Sequence, residues 1–182
     1  MKKFCGLLFC LVSFSAQAAG DQFWEHKDWK VFSERNAQGK KLCTAMTGGD
    51  GSDMFYVVAA AGGDISIYYR EQTYRGMKPA LKKEDSIVFR FDDKKQTEYD
   101  DVQVFLGVDA EGIPLATANL PGGWSAEVIR TMRASSSVNV LRDNPKTGKR
   151  ALVGKFSLAG FTATLLKASE WCGFDASKLK AP

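Results

Sequence analysis

Period-two alternation of apolar residues fills the middle of this chain and gives way to helical spacing at Ser125, and that change of period limits the fold more than any other feature. Ile65, Ile67 and Tyr69 alternate with Ser66, Tyr68 and Arg70, as a half-buried antiparallel strand requires. Ile87, Phe89 and Phe91 repeat the pattern, as do Val102, Val104, Leu106 and Val108. Trp29 and Val31 open it, and Leu42 to Met46 returns across the turn Arg35 to Lys40, whose Asn and Gly tolerate positive φ. Met54 to Ala59 is a further β-type run, and Ile113 to Ala118 follows the hairpin-type turn Asp109-Ala110-Glu111-Gly112. Pro121-Gly122-Gly123 then stops the pattern.

Beyond it, Ser125 reads as the N-cap of a helix carrying Ala126, Ile129 and Met132, with Val128 widening the stripe. Val138 to Leu141 and Ala151 to Val153 form a strand pair around the turn Asp143 to Gly148. Ser157 reads as a second N-cap, ahead of Leu158, Phe161, Leu165 and Ala168, and Gly173 stands where a helix C-cap glycine belongs. The expected fold is a β-rich α+β domain. It is an antiparallel sheet or sandwich of about seven to nine short strands, with two helices near the C-terminus.

The first 18 residues are read as a cleaved secretory signal. Lys2 and Lys3 precede an apolar run from Phe4 to Phe14, and Ala16-Gln17-Ala18 places cleavage after Ala18. The run is well short of the roughly 20 apolar residues that span a bilayer, and no later segment approaches that length. Acylation at Cys10 is disfavoured by bulky Phe9 before it and by the apolar run that continues past it. Residues 19–182 are read as one domain, exported to the periplasm or the outer surface.

Export decides how the cysteines are read. Cys5 and Cys10 leave with the signal, and Cys43 and Cys172 remain to form one disulfide in an oxidising compartment. A zinc site would need three or four ligands, and beyond these two cysteines the chain offers only His26. Loss of Lys2 and Lys3 leaves 23 of the 25 basic residues against 21 acidic ones. The charges are interspersed rather than gathered on a basic face, so no nucleic-acid partner is expected. No cofactor fingerprint is present, and none is expected.

Several stretches invite a chemical reading and fall short of it. Thr47 to Asp53 is glycine-rich but lacks the Gly-Lys-Ser/Thr ending of a phosphate loop, and Asp50 with Asp53 lacks the acidic ladder of a calcium loop. Tyr68, Tyr69, Arg70, Tyr74 and Arg75 interleave aromatics with arginine, a pattern that stacks on sugars or bases but also describes an ordinary strand with a wet face. The acids from Asp92 to Asp101, or Glu111, would supply a glycan hydrolase, although charge runs are usually solvated. A Ser–His–Asp arrangement would have to use His26, which sits between Trp24 and Trp29. No catalytic residue is assigned.

Three segments bring a family into view. They are Asp28-Trp29-Lys30-Val31-Phe32 with Leu42-Cys43, Met77-Lys78-Pro79 leading into Ile87 to Asp92, and a helix through Val128 to Met132 followed by Phe156 to Ala163. In these the chain resembles the invasion-associated locus B family of exported bacterial proteins. The resemblance implies a compact β-rich protein without established enzymatic activity, linked in some members to host-cell invasion. Ser33 stands where that family often has a cysteine, and none occurs from Gly107 to Trp124, so its disulfide-dependent properties do not carry over. The expected function is therefore a non-enzymatic binding or envelope-associated module with a protein or envelope partner. A periplasmic inhibitor or immunity-type protein is the alternative, ahead of a carboxylate-dependent glycan hydrolase.

Overall fold

A computed structural model describes residues 22–49, 53–120, 124–144, 147–177 and 179. The signal region with Ala18, the loop tip Asp50 to Ser52, Pro121 to Gly123 and part of the turn after Asp143 lie outside these residues. Among the described residues, ten strands precede or intersperse two helices. They are β1 (Phe23–His26), β2 (Trp29–Arg35), β3 (Lys41–Gly48), β4 (Met54–Ala60), β5 (Ile65–Glu71), β6 (Ser86–Phe91), β7 (Glu98–Val108), β8 (Pro114–Leu120), α1 (Ser125–Ala134), β9 (Ser137–Asp143), β10 (Arg150–Ser157) and α2 (Phe161–Cys172). The β-rich expectation and the late helices hold, with one strand beyond the expected range. The added strand, β1, pairs with β2 around Lys27, which takes a positive φ of 55°.

The strands form a continuous antiparallel ladder in the order β1-β2-β3-β4-β5-β8-β7-β6-β9-β10. β7 belongs to both halves of it. Its first part, through Val102, pairs with β6, and Gln103 to Val108 pairs with β8. Where it changes partner, Asp100 and Asp101 together oppose Val88 alone. That extra residue is a β-bulge, which bends a strand and raises its twist. The ladder thereby folds over itself, and Phe55 of β4 meets Phe89 of β6 at 5.2 Å and Phe156 of β10 at 5.9 Å between ring centroids.

The inward rows supply the core: Trp29 and Val31, Phe55 and Val57, Ile67 and Tyr69, Phe89 and Phe91. α2 lies over β2 and β3, with Phe161 against Trp29 at 4.8 Å. Cys172 at its end is bonded to Cys43 of β3, 129 residues earlier, with 6.1 Å between their Cα atoms. Gly173 ends the helix in the left-handed region, donating its N–H to Ser169 O.

Both expected N-caps serve elsewhere. Ser125 lies inside α1, and its hydroxyl donates to Ile65 O at 2.7 Å, pinning the helix to β5. Ser157 closes β10 and accepts the Ala159 N–H in a tight turn. α2 starts at Phe161 behind Gly160, whose φ is 101°. Trp29 Nε1 donates to Ser157 O at 2.8 Å, and Asp28 N donates to Ala159 O, so this turn is tied to the start of β2. Among the described residues, no helix is long and apolar enough to cross a membrane.

Candidate binding face

The residues with a chemical reading in the sequence do not converge. His26 is exposed, and its ring lies parallel to Trp24 with centroids 5.6 Å apart. Among the described residues, no hydrogen bond joins it to a serine or a carboxylate.

The acids from Asp92 onward are mostly occupied by the fold. Asp92 accepts the backbone N–H groups of Ser136 and Ser137, and these bonds, chiefly the first, hold its carboxyl below the usual range. Asp93 accepts from the Asn139 amide. Glu98 belongs to β7, not to the connection before it. Burial pushes its carboxyl up, but Arg90 and Arg150 more than offset that and leave it low. Asp100 and Asp101 remain exposed in the bulge, and Trp124 Nε1 donates to Asp101 at 3.4 Å. These two border a small cleft of about 120 Å³ between Tyr99 and Trp124. Glu111 sits on the exposed β7–β8 turn. Among the described residues, no group of three or more His, Cys, Asp or Glu is placed to hold a metal ion.

Asp53 has a structural role instead. It accepts the Tyr69 hydroxyl at 2.7 Å and the Gln72 N–H at 2.9 Å. Burial, reinforced by Asp53, pushes the Tyr69 phenol far above its ordinary value, so it remains a donor. The Tyr–Arg run is thereby divided: Tyr69 faces the core, while Tyr68 and Arg70 face out.

The outward side of the larger half-sheet is the unusual surface. Antiparallel sheets with one wet face normally alternate apolar-in with polar-out. Here the row Lys30, Met46, Tyr56, Tyr68, Asn119 and Gln103 crosses six strands in direct register. Tyr56 and Tyr68 stack at its centre, 4.9 Å apart and 14° from parallel. Burial, with the neighbouring phenol of Tyr68, pushes Tyr56 upward. The adjacent row brings Met54, Arg70, Thr117 and Phe105 side by side, with Phe105 53% exposed. Arg70 Nε and Asn119 Oδ1, both on this face, are shielded and make no hydrogen bond among the described residues.

The smaller half-sheet has a different outward side. There Arg90 Nε donates to Glu98 at 2.7 Å, and Arg150 makes a bidentate contact with Asp143 at 2.6 and 2.7 Å while also reaching Glu98. One face is an ion-pair network and the other an aromatic and thioether surface. The signal for the second was present in Met54 to Ala60, which is apolar at both parities.

A cleft of about 630 Å³ also opens between the β4–β5 turn, the start of α1 and Phe174. Among its described lining residues, Asp64 and Asp175 are the only ionisable groups. Comparisons with family models, curated proteins and solved structures find no match to this chain.

Proposed function

We propose that this protein is an exported, non-enzymatic binding module that engages a protein or envelope partner through the outward face of its larger half-sheet. The supporting observation is the Met46–Tyr56–Tyr68 row, a half-buried aromatic and thioether stripe in direct register across β3, β4 and β5. Apolar surface of this kind on a protein exterior marks a contact site. Tyr and Met are enriched at such contacts, and Arg beside them adds directional bonding.

Export is part of the reading. The apolar leader and the Ala16-Gln17-Ala18 pattern support it, and a disulfide accords with an oxidising compartment. Resemblance to the invasion-associated locus B family supports reading the module as one of the bacterial envelope. An inhibitor or immunity-type role is a form of the same reading, since an open sheet face suits a protein partner better than a small molecule, which prefers a concave site.

The test is chemical cross-linking in envelope extract, comparing the wild-type protein with a Tyr56→Lys/Tyr68→Lys variant. The wild type should give discrete cross-linked species that the variant loses while keeping its circular dichroism spectrum. Identical species from both proteins would remove the face from the function, and their absence from both would remove the binding reading.

A further inference from the structure

The outward face runs out to β7, and past Val102 the far side of β7 has no paired strand among the described residues. Asp109 N donates to Ile113 O at 3.0 Å, which fixes the phase of the β7–β8 ladder. In an antiparallel pair, alternate residues point both backbone groups at the partner. Gln103, Phe105 and Gly107 therefore address β8, and Val104, Leu106 and Val108 address the opposite side. Val102, in the same phase, is paired there with Ile87 of β6. Past Val102 the β6 pairing has ended, and no hydrogen bond reaches Leu106 or Val108 on that side among the described residues. Val104 is covered by the body of the fold, whereas Leu106 and Val108 are 55% and 66% exposed.

The other two edges carry the usual protection against strand pairing. β1 is four residues long, and β10 is bulged between Leu152 and Gly154 and bears Lys155. The open part of β7 has no lysine, proline or bulge, so it is a template for strand addition.

Charge narrows the occupant. Asp100 and Asp101 lie at one end of the open segment and Glu111 at the other, and none of the three enters an ion pair among the described residues. Asp109 is already faced by Arg70 at 3.8 Å. Arg75 and Lys78 sit on the loop that follows Thr73, whose hydroxyl donates to Pro114 O. A second copy fits poorly. The antiparallel register that overlaps Val104 to Val108 fully sets Asp101 of each copy against Glu111 of the other, and like charges directly opposed destabilise a pair.

We infer that β7 accepts an extended polypeptide segment of a partner protein as an added antiparallel strand, apolar at alternate positions and flanked by Lys or Arg. Backbone bonds to Leu106 and Val108 supply the affinity, apolar side chains cover the exposed Leu106 and Val108, and the basic ends meet Asp101 and Glu111. This inference rests on the binding-module reading and adds the partner's chemistry.

The probe is a fluorescein-labelled peptide, acetyl-Lys-Val-Thr-Val-Thr-Val-Lys-amide, compared by anisotropy with its Glu-ended counterpart. The basic peptide should bind at least tenfold more tightly and should slow hydrogen exchange at the Leu106 and Val108 amides. Asp101→Lys/Glu111→Lys should reverse the preference. Leu106→Pro should abolish binding without breaking the β8 ladder, because the lost N–H points away from β8. If that variant fails to fold, amide protection in the wild type decides the question.

Equal affinity for both peptides, protection elsewhere than Leu106 and Val108, or a concentration-dependent dimer in sedimentation that Leu106→Pro dissolves would overturn the inference. Cross-linking that depends on Tyr56 and Tyr68 but survives Leu106→Pro would sink the edge alone. Failure of both experiments would sink the binding module as well.

Discussion

At the scale of single residues, glycine and serine show how local chemistry is redirected by long-range contacts. Ser125 and Ser157 both have the composition of a helix cap, and both hydroxyls have other roles. Sequence could not reveal this, because Ile65 O lies 60 residues from Ser125 and is brought to it only by the sheet. The helix start at Phe161 depends instead on Gly160, at φ 101°, where an added Cβ would stand 2.1 Å from His26 O. Gly160→Ala therefore meets both backbone strain and the β1–β2 turn. It should destabilise the fold by at least the roughly 1–3 kcal/mol of a disfavoured φ/ψ, read as a lowered urea midpoint with unchanged slope.

Among the elements, β7 was the least legible in sequence. Its alternation from Val102 to Val108 is plain, but Glu98 to Asp101 reads as polar loop because the bulge breaks the period. The consequence reaches Glu98, which becomes a cross-strand partner of Arg90 and Arg150 rather than a candidate catalytic acid. Asp143 is likewise held low, chiefly by its bond from Arg150 against the opposing effect of burial. Carboxyls lowered in the folded state stabilise it when ionised. That contribution is complete above their ordinary unfolded values near 4, and is lost as pH falls through the lower folded values. Urea midpoints should thus fall steeply on acidification from about pH 5 to pH 2, and Glu98→Gln should flatten that dependence. A wild-type midpoint unchanged over this range would count against the network.

For the whole molecule, the sequence conveyed strand number to within one and helix position, but not strand order. Neighbouring hairpins such as β2–β3 and β4–β5 follow from short turns, whereas β5 with β8 and β6 with β9 are long-range pairings with no local signature. The disulfide was legible because reading the first 18 residues as a cleaved signal leaves two cysteines to pair. Closing a loop of this length gives about 5 kcal/mol in the chain-entropy account, with 2–5 usual on removal. Cys43→Ser/Cys172→Ser should lower unfolding free energy by about that range, measured by chemical denaturation. A loss below about 1 kcal/mol would show that packing of Trp29 against Phe161 already holds α2 in place.

The same bridge sets a timetable. Cys43 is synthesised 129 residues before Cys172. At about 5–20 residues per second, roughly ten seconds pass between the two. Through that interval Cys43 is a thiol without its mate, and β6 likewise waits for β9. The local hairpins can form as the chain emerges, but the bridge and the long-range strand pairs cannot close until the last third has arrived.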